Sequence, residues 1–179
     1  MPGLNGFDAT IITFVQTALH NTFTDAVFPA ITYLGEAGAF WLVLLSAMLF
    51  FRKTRRCGLL GLFAVALGFL IGEIAVKNLV CRPRPFAAYP NLYPLLISPP
   101  SGFSFPSGHT CSSFAAATVI FIHFKKPGAA AYVLAALIAF SRIFLFVHYP
   151  TDVLAGAILG ILSALAVWWI TRKAEQKRV

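Results

Sequence analysis

The sequence predicts an all-α protein: a polytopic membrane helix bundle of about six transmembrane helices, with its N- and C-termini cytoplasmic. Three observations carry this. Of 179 residues, 59% are hydrophobic and only 11% charged, where a soluble domain carries about 25% charged residues. Apolar stretches of about 20 residues, the length a helix needs to cross a bilayer, recur along the chain. The basic residues between them are gathered into short clusters, the pattern of cytoplasmic turns under the positive-inside rule.

The chain reads as a single membrane-embedded domain, residues 1–179. Its opening, MPGLNGFDAT, lacks the basic segment of a secretory signal peptide. Residues 7–20 are apolar but dotted with Asp8, Thr10, Thr13, Gln16 and Thr17, so the 1–22 region fits an interfacial amphipathic helix. Residues 25–34 then make a short or tilted first crossing and residues 37–51 a second, with Gly35 and Gly38 turning the chain around Glu36. A single long span over residues 25–51 is the alternative. Residues 58–80, 107–124, 128–147 and 152–171 are four clear spans, and residues 81–106 form an outer loop. Cys57, Cys81 and Cys111 have neither paired nor metal-ligand spacing and read as small packing residues. His20 and His123 read as boundary residues, and Tyr149, Trp168 and Trp169 as interfacial aromatics.

A net charge of +8 could indicate nucleic acid, but its placement argues otherwise. No Lys or Arg precedes Arg52, and ten of the 14 basic residues fall in three clusters: Arg52, Lys53, Arg55 and Arg56; Lys125 and Lys126; Arg172, Lys173, Lys177 and Arg178. With these turns inside, the others are outside. The four remaining cations, Lys77, Arg82, Arg84 and Arg142, lie in or near that outer layer and break the inside bias. Charged groups in a membrane segment are costly and mark function.

Three segments meet on the outer face. In KNLVCRPRP, Pro83 stops the helix near Cys81, so Lys77 and Arg84 point into one patch. In FSFPSGHT, Ser107 caps a helix whose free amides and dipole favour an anion. There Gly108 admits a ligand to the backbone, and His109 sits on the first turn. In SRIFLFVHYPTD, Ser141 and His148 are seven residues apart and share a helix face. Arg142 lies about 9 Å from His148 along the axis, within partial reach of its side chain. Pro150 ends that helix, and Asp152 can fold back to fix the His148 tautomer.

Lys77, Arg84 and Arg142, with the amides around Ser107 and Gly108, suit a phosphate's nonbridging oxygens and a trigonal-bipyramidal transition state. The sequence has no carboxylate cluster suited to magnesium, so the cations take the metal's place and no cofactor is expected. A neutral histidine can attack phosphorus to give a phosphohistidine, and a second can protonate the leaving oxygen.

These motifs resemble the tripartite signature of the type-2 phosphatidic acid phosphatase superfamily of integral membrane lipid phosphatases. Lys77, Arg84 and Pro85 match its first part, Pro106 to His109 its second, and Ser141, Arg142, His148 and Asp152 its third, with every spacing kept. The resemblance implies a nucleophilic His148 oriented by Asp152, and His109 as acid and then base. It assigns Lys77, Arg84, Ser107, Gly108 and Arg142 to phosphate binding, and the chemistry to a metal-independent site. It further implies a lipid phosphate substrate at the outer face of the cell membrane. By likeness to short bacterial members the first candidate is undecaprenyl diphosphate, followed by phosphatidylglycerol phosphate and phosphatidic acid.

Outside the signature, Glu73 lies four residues before Lys77 on the same face and either pairs with it or serves a separate structural role. Arg82 meets a headgroup or faces the interface, the latter being favoured. The outer loop either gates lipid entry or simply packs. A soluble vanadate-dependent haloperoxidase has a similar site, but the hydrophobic spans argue against it. A membrane transporter or binding protein would leave His109, His148 and Asp152 without a purpose. Nothing in the residues points to an oligomeric state.

Overall fold

The computed structural model describes residues 6–176. Residues 1–5 and 177–179 lie outside it, and with them the start of the expected interfacial segment and Lys177 and Arg178 of the third basic cluster. All regular structure among the described residues is helical. The helices are α1 (Gly6–Ala18), α2 (Thr22–Leu34), α3 (Ala39–Met48), α4 (Arg55–Phe69), α5 (Lys77–Val80), α6 (Pro85–Ala88), α7 (Gly108–His123), α8 (Lys125–Phe144) and α9 (Pro150–Gln176). A π-helical stretch, Leu70–Val76, joins α4 directly to α5.

By length and composition Arg55–Ala88, Lys125–Phe144 and Pro150–Gln176 can each cross a bilayer. Helices α2 and α3, bent by 42° at their junction, make a fourth span or a re-entrant loop. Length and composition thus establish three or four of the six crossings predicted. At about 1.5 Å rise per residue neither α2 nor α3 covers the roughly 30 Å of a hydrocarbon core alone. The Glu36–Gly38 turn between them holds Ala37 at φ 49° and Gly38 at φ 68°, so the chain bends there as the glycines suggested. The predicted span 107–124 is a helix of 16 residues, also short. It is the central helix, with Thr110, Cys111, Ser113 and the run from Ala115 to Ile120 buried by its neighbours.

Close packing places α7 against α9. Gly156 and Gly160 are spaced as a small-xxx-small pair, which lets helix backbones approach within a membrane. A methyl group on Gly156 would collide with the Ser107 carbonyl, and one on Gly160 with the Cys111 carbonyl. The contact is sealed at the end of the bundle where the Ser107 amide donates to the Asp152 carbonyl at 3.0 Å. On the far side of α7, Trp41 Nε1 donates to Ser113 Oγ at 2.8 Å, tying in α3. Large apolar side chains on α3, α4 and α9, such as Val43, Leu59, Phe63, Ile158 and Leu162, point outward instead.

The alternating helices bring the turns at Arg52–Arg56 and Lys125–Lys126 and the end of α9 together, away from the start of α7. An ion pair between Arg56 and Glu175 at 2.7 Å joins two of them. Helix α1 packs through Asp8, Ile12 and Val15, one face at helical spacing.

Candidate active site

A cavity of about 630 Å³ lies at the end of the bundle remote from the basic turns. The α2–α3 bend, the π-helical stretch, the start of α7, the outer loop and the α8–α9 turn enclose it. Lys77, Arg84, Gly108, His109, Arg142 and His148 line it. Ser107 and Asp152, both fully buried, lie directly behind. Thus all eight predicted site residues come together. Among the described residues no group of three or more His, Cys, Asp or Glu side chains gathers as metal ligands.

The α4–α5 segment supplies Lys77, whose ammonium donates to both oxygens of Glu73 at 2.6 and 2.7 Å. The pairing was one of two readings open for Glu73. Cys81 ends α5 at φ 49° and is exposed, so the packing role expected of it does not hold; Cys57 and Cys111 are buried. Pro83 and Pro85 stiffen the next turn. There Arg84 Nε and Nη2 donate to the carbonyls of Gly102 and Ser101, each at 3.0 Å. Its Nη1 donates to the Val147 carbonyl at 3.1 Å and to His148 Nε2 at 3.0 Å. Four of the five guanidinium N–H groups are engaged, which leaves one on Nη2.

At the start of α7, Ser107 caps as expected: its Oγ accepts from the Thr110 amide at 3.5 Å and from Thr110 Oγ1 at 2.9 Å. His109 Nε2 is buried 3.5 Å from Glu36 Oε2 without a hydrogen bond. Arg142 Nη1 donates to Thr32 Oγ1 at 2.7 Å, while its buried Nε has no partner. Both unpartnered groups belong to residues that line the cavity.

His148 does not share a helix face with Ser141. Helix α8 ends at Phe144, and Phe146 takes φ 56°, which no continuing helix allows. The amides of Val147 and His148 fold back onto the Arg142 carbonyl, both at 3.2 Å. The turn buries His148 and carries it over Asp152. An arginine can only donate, so His148 Nε2 must accept, and the ring proton sits on Nδ1. Nδ1 faces Asp152 Oδ2 at 3.5 Å. Burial, together with the nearby cations Arg142 and Arg84, pulls the imidazole down to about 3, outweighing the Asp152 hydrogen bond. The ring is therefore neutral at physiological pH.

Three partners escaped the sequence reading. Ser104 Oγ donates to Asp152 Oδ2 at 2.5 Å and lies 3.4 Å from His148 Nδ1. A serine in a loop carries no spacing signal. Arg82, expected at the interface, turns inward: it donates to Asp152 Oδ1 at 2.6 Å, Thr151 Oγ1 at 2.7 Å and Asp8 Oδ2 at 2.8 Å. The guanidinium also stacks over Tyr149, 3.7 Å from the ring centroid, so Tyr149 is a buried support and not an interfacial aromatic. Asp8, from the segment read as interfacial, accepts the Thr151 amide at 3.0 Å. No spacing in the sequence joins Arg82 to Asp8 or to Asp152, which lie 74 and 70 residues away.

A helical membrane bundle with these three segments around one cation-lined cavity defines a class. Residues 57–176 match the model of the PAP2 superfamily, and the chain belongs to that family. It is a lipid phosphatase. It is 38% identical over 148 residues to a Bacillus licheniformis protein named bacitracin transport permease protein BcrC, which covers 81% of this chain and 72% of that one. It is 30% identical over 148 residues to the undecaprenyl-diphosphatase BcrC of Bacillus subtilis, covering 80% and 72%. Among solved structures it is similar to a transmembrane PAP2 type phosphatidylglycerolphosphate phosphatase from Bacillus subtilis. That match has TM-score 0.71 and 30% identity over 93% of this chain and 85% of that one.

Proposed function

We propose that the chain converts undecaprenyl diphosphate to undecaprenyl phosphate at the outer face of the cell membrane, without a metal, through a phosphohistidine on His148. The observation that carries this is the state of His148. Its Nε2 lone pair points to a cation in the cavity, while Nδ1–H is turned to Asp152. On substrate entry a phosphoryl group takes the place of the Arg84 contact. Nε2 attacks phosphorus as the bond to the leaving oxygen breaks, and His109 gives that oxygen a proton. A water deprotonated by His109 then attacks the phosphohistidine, releasing phosphate and restoring His148. Asp152 orients the ring and stabilises its positive charge. Lys77, Arg84, Arg142 and the amides held by Ser107 and Gly108 bind the phosphoryl oxygens.

The basic turns at the far end support a cytoplasmic placement for that end and for both termini, and so an outward-facing cavity. The expected interfacial role of residues 1–22 belongs to the same reading. Tyr33, Val65 and Phe69 give the cavity an apolar flank suited to a hydrocarbon tail. The diphosphatase reading draws on the BcrC designation that both Bacillus relatives carry. Phosphatidylglycerol phosphate is the second reading, favoured by the likeness to the Bacillus subtilis phosphatidylglycerolphosphate phosphatase. Phosphate release from a panel of purified lipids in detergent decides between them. Undecaprenyl diphosphate is expected to give the highest kcat/KM; a higher value for phosphatidylglycerol phosphate or phosphatidic acid would overturn the assignment.

A further inference from the structure

The carboxylate of Glu73 lines the same cavity as Lys77 and Gly108. Its oxygens take two of the three protons of the Lys77 ammonium. It also lies against Gly108, the first residue of α7, so closely that a Cβ there would overlap Oε1. The first amides of a helix have no acceptor within it, and with the dipole they attract negative charge. An ammonium on one side and a helix amino end on the other make an anion's surroundings, and the anion in them belongs to the protein.

We propose that Glu73 is a built-in competitor for the substrate's phosphate, a specificity-determining residue that the phosphate must displace from Lys77 and from the start of α7. This rests on the phosphatase reading above. Two anions in contact repel, and most strongly where little water screens them. A weakly charged ligand therefore leaves Glu73 in place, whereas a phosphomonoester dianion or a diphosphate has the charge to move it. The side chain is free to leave: it is 30% exposed, lines the cavity, and springs from the π-helical stretch Leu70–Val76. Such stretches are locally less regular and recur at functional sites. On this account the glycine at 108 serves the carboxylate as well as the ligand, since any side chain would hold Glu73 off the helix end.

Inhibition by orthovanadate and by inorganic phosphate, measured on the purified protein in detergent, tests the proposal. E73Q keeps the size of the side chain and removes its charge. Its inhibition constants for both anions are expected to fall about fivefold, the effect of removing one modest charge repulsion. E73D keeps the charge one methylene further from α7 and is expected to lie between E73Q and the wild type. A melting temperature near that of the wild type establishes that each variant is folded. Unchanged or weaker inhibition of folded E73Q would overturn the proposal and make Glu73 a holder of Lys77. If E73Q does not fold, E73D decides alone: a lower inhibition constant supports the competitor and an equal or higher one overturns it. A wild-type protein that neither releases phosphate nor responds to orthovanadate would instead remove the phosphatase reading, and this proposal with it.

Discussion

At the scale of the residue, the site is held by a chain of hydrogen bonds that ends on Asp152. Its Oδ2 accepts from Ser104 Oγ and from the Tyr149 amide, and its Oδ1 from Arg82. Ser104 therefore fixes both the carboxylate and the ring beside it. In S104A, kcat is expected to fall about tenfold with little change in KM, since a hydrogen bond to a charged group contributes about 1.5–3 kcal/mol. Steady-state kinetics on one lipid substrate checks this. His148 gives a pH dependence with a defined sign. Its folded pKa of about 3 lies below the ordinary histidine value near 6.5. The unfolded chain takes up the proton first as pH falls, so the stability from this residue is complete above about 6.5 and is lost on going toward 3. Between pH 7.5 and 4.5 the melting temperature of the wild type should drop further than that of H148N. Equal drops would contradict the buried neutral imidazole.

At the scale of the element, the decisive contact is the crossing of α7 and α9, because it sets Ser107 beside Asp152. A methyl group at Gly160 has no room against the Cys111 carbonyl. G160A is expected to cost about 1–3 kcal/mol by overpacking and to lower activity as Asp152 shifts from His148. I158A, on the exposed side of the same helix, should change neither melting temperature nor turnover. Much of this level was legible in the residues. The start of α7 at a Ser107 cap and the end of α5 near Cys81 follow from local chemistry that proline and a capping hydroxyl announce. The α8–α9 turn was not legible, because a left-handed Phe146 leaves no mark in sequence and the apolar run continues through it. Nor were the inward turns of Arg82 and Asp8 readable. Each looked like an interfacial residue until the fold brought two acidic groups to one guanidinium.

At the scale of the whole molecule, one end is basic and the other carries the cavity, an asymmetry already written in the placement of the lysines and arginines. It gives a test of orientation. Cys81 is exposed at the cavity end, and Cys57 and Cys111 are buried. A membrane-impermeant maleimide is expected to label Cys81 in intact cells. K53C, built on a C81A background, should react only after permeabilisation; the reverse pattern would contradict an outward-facing site. The number of full crossings was the less readable feature. A central helix of 16 residues and a bent pair fall short of the length a lone span needs, so length and composition establish only three or four of the six crossings. The proposed mechanism stands or falls on His148, served by cations and not by a metal, hydrolysing a lipid phosphate. Phosphate release from undecaprenyl diphosphate in excess EDTA, comparing wild type with H148A, is the sharpest test. The expected result is release by the wild type undiminished by EDTA and none above background from H148A. Full release by H148A, or a wild-type reaction that stops without magnesium, would contradict it.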